Sequence, residues 1–92
     1  MTSALMGNYG RPELEFDHGI GSYLYTPAGD RYLDFTMGIA VNCLGHCHPD
    51  LVRALNDQAS KLWHTSNLYR IPQSEMLARK LVNNSFADQV FG

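Results

Sequence analysis

Apolar and polar positions alternate in short runs through the first half of the chain and recur at helical spacing through the second. Residues 1–13 carry Gly7, Gly10 and Pro12 without any periodicity and read as an irregular arm. From Leu14 the runs LEFDHGIGSYLYT and RYLDF are rich in aromatic residues, and the turn-forming PAGD stands between them. The pattern predicts a β-hairpin and turn within 14–47, with a third strand if LEFDH pairs as well. Leu24 on one run and Leu33 and Phe35 on the other are expected to share one buried face. The glycines of GIGS fit a hairpin turn.

His48-Pro49-Asp50 carries the signature of a helix start, with proline at the first helical position and an acid in the first turn. Leu51, Leu55, Gln58, Ala59 and Leu62 then fall on one stripe, which predicts a helix over 48–63 with an apolar face meant for burial. In the remaining 64–92, HTSNLYRIP reads as a loop. A second helix is expected from about Pro72 to Val82, with Leu77, Ala78, Leu81 and Val82 on its inner side. FADQVFG is expected to be a short last strand with Val90 and Phe91 as core residues. Such a strand needs sheet neighbours that the chain does not contain, so the sequence is expected to be a fragment. The fold class is therefore an α+β fragment: an N-terminal antiparallel hairpin or small sheet, then two helices.

Composition narrows the function classes. The chain has 92 residues, 45% of them hydrophobic, and a formal charge of -2 with both signs scattered. No basic stripe of a nucleic-acid binder is present. No apolar run approaches a membrane span, and MTSALMGNYGRPE lacks both a basic n-region and an apolar h-region. Two cysteines make no disulfide framework, which points to a reducing, cytoplasmic setting.

Candidate chemistry concentrates in CLGHCHP, where Cys43, His46, Cys47 and His48 are all zinc-ligand types. Structural zinc sites draw ligand pairs from separated pieces of chain, whereas three of these residues are adjacent and point in different directions. A tight turn with packed thiols is the better reading, and no metal is expected. GIGS lacks the third glycine and the following helix of a dinucleotide loop. Ser66 has only the isolated His64 nearby in sequence, and Asp34 reads as a hydrogen-bond acceptor beside strand aromatics.

The order of segments carries a further signal. G-S-Y-L-Y, G-D-R-Y-L-D-F, G-I-A-V-N, L-G-H-C-H-P and H-T-S-N-L-Y resemble, in order and spacing, the N-terminal part of the class III aminotransferases. These are pyridoxal-phosphate enzymes of fold type I, and the resemblance is nearest to their acetylornithine branch. It covers nearly all of this chain and roughly the first quarter of such an enzyme. It implies that G-H-x-H-P delivers the chain into the first long helix, with Gly45 permitting the turn and Cys43 and Cys47 as packing thiols. It also implies that the phosphate cradle, the pyridine-nitrogen aspartate, the Schiff-base lysine and the carboxylate-binding arginine all lie beyond Gly92. Lys61 and Lys80 are expected on helix faces, aligned with no catalytic position, so the fragment should hold no pyridoxal phosphate and be inactive.

Three substrate-side positions follow from the resemblance. Tyr9 matches an arm tyrosine that approaches the substrate. Ile39 stands where ornithine δ-aminotransferases have a gating tyrosine, and an aliphatic residue there suits an acylated amine. Asn67, Leu68 and Tyr69 match a dimer-interface loop that reaches the neighbouring subunit's pocket. Met37 in place of a small residue, and Gly92 in place of a phenylalanine, depart from the pattern. The implied activity is amino-group transfer between N-acetylornithine and 2-oxoglutarate in a cytoplasmic homodimer, without nucleic-acid or membrane partners. Ornithine or succinylornithine aminotransferase, or a non-catalytic interaction module, are the alternatives.

Overall fold

The computed structural model describes residues 3–92. Three short strands, β1 (His18–Ile20), β2 (Tyr23–Tyr25) and β3 (Arg31–Leu33), form one antiparallel sheet in the order β1-β2-β3. Gly21-Ser22 makes the two-residue connection between β1 and β2, with Gly21 at φ +58°, the backbone that tight hairpins require. Thr26 closes the second connection: its N–H donates to the Asp30 carbonyl at 3.0 Å, and its hydroxyl accepts the Asp30 N–H at 3.0 Å. The third strand anticipated from LEFDH is thus built on HGI, and Leu14, Glu15 and Phe16 remain outside the sheet.

The register corrects the expected apolar face. Leu24 pairs with Tyr32, whereas Leu33 pairs with Tyr23. Directly opposed residues share a face, so Leu24 and Leu33 lie on opposite sides of the sheet. A one-residue shift decides this, and alternation within either strand leaves it open. Phe16 packs edge-on against Tyr32 at 5.6 Å between ring centres. On the other face His18 stacks on Tyr25 at 4.7 Å, and the Arg31 guanidinium covers the Tyr23 ring at 4.5 Å. Phe35 lies beyond β3 and is exposed.

A four-residue helical turn, α1 (Met37–Ala40), follows the sheet. The sequence reading contains no such element. Helix α2 (Pro49–Ala59) begins at the expected proline, and the first of its backbone bonds runs from the Val52 N–H to the His48 carbonyl at 3.0 Å. It stops four residues short of the expected 63. There the Gln58 side chain donates to the Leu62 carbonyl at 2.7 Å and the Trp63 indole N–H donates to the Ala59 carbonyl at 2.6 Å. Side chains thereby take over carbonyls that a continuing helix would have used. Helix α3 (Pro72–Asn83) has proline at its start, Glu75 in the first turn and Lys80 in the last. Both charges complement the helix dipole.

No strand forms over 86–92, contrary to expectation, because no described residue offers a ladder to that segment. Phe86 and Phe91 are fully exposed, and Phe91 is no core residue. Residue contacts fall into two units, one up to Asp57 and one from Gln58 onward. Among the described residues none is buried. Leu51 and Leu55 in the first unit, and Leu62, Leu77 and Leu81 in the second, keep about half or more of their surface in water. Of the expected inner side of α3, only Ala78 and Val82 are half-covered.

Each large side chain left exposed forgoes about 1.5–3 kcal/mol, against about 5–15 kcal/mol for the whole stability of an ordinary domain. The isolated 92-residue chain is therefore expected to self-associate or stay partly ordered. Sedimentation velocity over a range of concentrations, with near-ultraviolet dichroism at Trp63, reads this directly. A strictly monomeric species with a sharp cooperative melt would contradict it.

Candidate functional site

The most densely bonded part of the first unit lies where β3 hands over to α1. Asp34 follows β3 directly, and its N–H donates to the Ser22 carbonyl at 2.8 Å, which seats it against the β1–β2 turn. Its Oδ1 accepts the N–H groups of Thr36 and Met37, both at 3.0 Å. Its Oδ2 accepts a hydrogen bond from His46 Nε2 at 2.7 Å. An ionised carboxylate only accepts, so the imidazole proton in this bond sits on Nε2. The two side chains keep only 8% (Asp34) and 17% (His46) of their surface exposed, which makes them the best covered ionisable pair of the molecule's described ion pairs.

His46 is held from behind as well. Its N–H donates to the Gly21 carbonyl at 2.8 Å and its carbonyl accepts the Gly21 N–H at 3.1 Å. Two glycines make room for this approach. Gly45 has φ +83°, and a Cβ there would lie 3.0 Å from the Gly21 carbonyl oxygen. At Gly19 a Cβ would lie 2.6 Å from His46 Cγ and 2.8 Å from its Cβ, so the imidazole occupies the space that the missing side chain leaves on the sheet. The expectation that Gly45 permits the turn holds.

The CLGHCHP residues consequently diverge. His46 turns to Asp34, while His48 Nδ1 accepts the Asp50 N–H at 3.2 Å at the start of α2. Among the described residues, no three His, Cys, Asp or Glu side chains are gathered to hold a metal ion. Cys43 and Cys47 are exposed, which corrects their reading as packing thiols: no described element covers them.

The turn that Asp34 caps has an unusual hand. Met37, Gly38, Ile39 and Ala40 have φ of 49°, 64°, 64° and 64°. The Ala40 N–H reaches the Thr36 carbonyl at 3.0 Å and the Val41 N–H the Met37 carbonyl at 3.1 Å, so the segment is one turn of left-handed helix. Each non-glycine residue in it bears on the order of 1–2 kcal/mol of strain. For the β-branched Ile39 this backbone is a genuine outlier. The turn leaves Ile39 84% exposed, projecting from the position that the family resemblance assigns to the substrate side.

The other anticipated residues fall elsewhere. Tyr9 lies in the arm, exposed, with the Arg11 guanidinium 5.2 Å from its ring centre. In the second unit Asn67, Leu68 and Tyr69 form part of a shallow groove of about 380 Å³, together with Ser74, Ala78 and Val90. Ser66, at φ +71°, turns the chain into this loop; its hydroxyl accepts the Leu68 N–H and its carbonyl the Tyr69 N–H, both at 3.3 Å. Sequence reasoning noted Asp34 as an acceptor and missed its partner, because His46 lies twelve positions further along the chain, beyond α1.

Pyridoxal phosphate, the group the resemblance implies, requires a lysine amine to attach to and donors for its phosphate. The groove at Asn67–Tyr69 and its neighbour along Glu75, Arg79 and Val82 contain arginines and no lysine. Lys80 sits in the last turn of α3, and Lys61 lies in the turn beyond α2, not on a helix face as expected. The described residues therefore do not fit the cofactor.

The hydrogen bonds to Asp34 hold its pKa below the ordinary 3.8, the Met37 N–H contributing most and His46 next. A carboxylate with a depressed folded pKa binds fewer protons folded than unfolded just below pH 3.8, so stability rises with pH through that window. The contribution is complete above the unfolded value and is lost as pH falls through the folded one. Amide exchange at Thr36 and Met37 is accordingly expected to accelerate below about pH 3.8, relative to the strand amides. In Asp34→Asn this acid-dependent step should be absent.

Comparison with known proteins is consistent with this architecture. The description "Aminotransferase class-III" fits residues 6–92. An acetylornithine aminotransferase of Mesorhizobium japonicum is 58% identical over 89 residues, which are 97% of this chain and 22% of that protein. The crystal structure of N-acetylornithine aminotransferase from Stenotrophomonas maltophilia superposes with a TM-score of 0.80 at 42% identity, over 90% of this chain and 23% of that one. Plasmodium falciparum ornithine delta-aminotransferase gives 0.81 at 30% identity, over 91% and 22%. The chain thus spans somewhat less than a quarter of the proteins it matches. Since the family pattern runs unbroken from Met6 to Gly92, through the Asp34 turn and both helices, the chain belongs to the class-III aminotransferases.

Proposed function

We propose that this chain is the N-terminal part of an aminotransferase that moves an amino group between N-acetylornithine and 2-oxoglutarate, with pyridoxal phosphate as cofactor, in arginine biosynthesis. The observation that carries this reading is the 58% identity, over 97% of the chain, to a protein named acetylornithine aminotransferase. The resemblance extends the proposal to a cytoplasmic homodimer. Among the described residues no helix is long and apolar enough to cross a membrane.

Within that reading Ile39 shapes the pocket for the acyl group, and Tyr9 approaches the substrate from the arm. Asn67, Leu68 and Tyr69 reach toward the partner subunit's site. The exposure of Ile39 on a strained turn supports its role, since backbone strain is retained where a side chain must be presented in one direction. An ornithine-specific enzyme is the second reading, because the fold matches an ornithine delta-aminotransferase and an acetylornithine aminotransferase equally, each with a TM-score of 0.81.

The full-length protein loaded with pyridoxal phosphate is expected to turn over N-acetylornithine with 2-oxoglutarate faster than it does ornithine; the reverse preference would favour the second reading. Ile39→Tyr is expected to lower kcat/KM for N-acetylornithine by roughly tenfold or more and that for ornithine far less, because a pocket's fit to a small group is worth about 10–200-fold. An equal loss on both substrates would leave Ile39 as packing. The 92-residue chain alone is expected to show no pyridoxal-phosphate absorbance that survives dialysis and no transamination. A stoichiometric band that borohydride fixes on Lys61 or Lys80 would contradict this.

A further inference from the structure

We propose that Asp34 and His46 are positioning residues for substrate selection. Together they hold the left-handed turn against the sheet and so fix the direction in which Ile39 is presented. The inference rests on the proposed role of Ile39 and adds to it the device that sets the side chain's place.

A left-handed turn containing Met37, Ile39 and Ala40 does not persist on local preference, because each of these residues favours negative φ. Something outside the turn must hold it. Within the turn itself, backbone bonds to the Thr36 and Met37 carbonyls close the helix, but they do not orient it. Orientation comes from Asp34 Oδ1, which takes the Thr36 and Met37 N–H groups at the turn's beginning. Asp34 is in turn fixed by its own N–H on the Ser22 carbonyl and by His46 on Oδ2.

His46 supplies the rigidity. Two backbone bonds to Gly21 fix its main chain, and its ring fills the space above Gly19. The sheet therefore sets the imidazole, the imidazole sets the carboxylate, and the carboxylate sets the turn. Ile39 lies two residues beyond the last N–H that Asp34 holds, so a tilt of the turn moves its side chain directly. Neither Asp34 nor His46 is required to touch substrate.

Three substitutions separate this device from a general contribution to stability. His46→Ala removes the imidazole. His46→Gln places an amide N–H close to the position of Nε2 and should restore the bond to Asp34. Gly19→Ala adds a Cβ that must displace the ring, since the atoms it meets are His46 Cγ and Cβ next to the backbone, not a flexible tip.

The test uses the full-length protein loaded with pyridoxal phosphate and two readouts. One is the ratio of kcat/KM for N-acetylornithine over ornithine. The other is the Ile39 δ1-methyl resonance, assigned by its loss in Ile39→Val and independent of turnover. His46→Ala and Gly19→Ala are each expected to shift the methyl resonance and to lower the ratio by roughly tenfold, mainly through KM for N-acetylornithine. His46→Gln is expected to return both toward the parent values. If His46→Ala does not fold, Gly19→Ala and His46→Gln carry the comparison. An unmoved methyl resonance overturns the proposal whatever Ile39→Tyr does, and so does a shifted resonance with an unchanged ratio while Ile39→Tyr alters it. If Ile39→Tyr itself leaves the ratio unchanged, the substrate role of Ile39 fails, and the selection device fails with it even where the methyl resonance shows that His46 holds the turn.

Discussion

Three hydrogen bonds converge on the carboxylate of Asp34, and the order of the segment from 34 to 47 depends on them. Two come from consecutive backbone N–H groups and one from an imidazole twelve residues away. An ionised carboxylate has acceptor sites enough for all three, and charge-assisted bonds of this kind are stronger than neutral ones. The pair is also shielded from water to a degree that no other described ion pair matches. By contrast, Asp17 with His18 and Asp50 with Arg53 are exposed pairs close in sequence, and such pairs add little to stability.

Around this carboxylate the chain departs from its local preferences repeatedly and within a few residues. Met37, Ile39, Ala40 and Cys47 all have positive φ. Gly19 and Gly45 are placed where any side chain would collide with His46 or with the Gly21 backbone. Natural chains are mostly consistent between local propensity and global fold, and concentrated exceptions mark sites where another requirement has prevailed. Here the exceptions lie in and around one left-handed turn, on which Ile39 is exposed.

The apolar surface has a different origin. The α2 stripe and the Leu77 and Leu81 positions of α3 are amphipathic faces of ordinary helices, and the described residues supply nothing to cover them. A chain that spans 22% of its matched relative's length carries faces whose complements belong to the rest of such a protein, in the reading proposed above. The C-terminal segment follows the same logic. Its composition favours a strand, but a strand exists only as one side of a hydrogen-bonded ladder, so QVF stays irregular beside α3.

Features set by neighbours in sequence were legible in the sequence alone. Pro49 and Pro72 marked both helix starts because proline's fixed φ and missing N–H suit only a first turn. PAGD and Gly21 marked the hairpin connections because their backbone geometry is intrinsic to the residues. The G-H-x-H-P order marked the turn that leads into α2. What the tertiary structure decided is what depends on residues distant in sequence. The sheet register put Leu24 and Leu33 on opposite faces, although alternation within each strand is the same in either register. The left-handed turn runs against the preference of three of its four residues, so no local rule could propose it. His46 acquired its role only because the β1–β2 turn, the end of β3 and the CLGHCHP segment meet, which brings its imidazole to Asp34 across a glycine that leaves the space open.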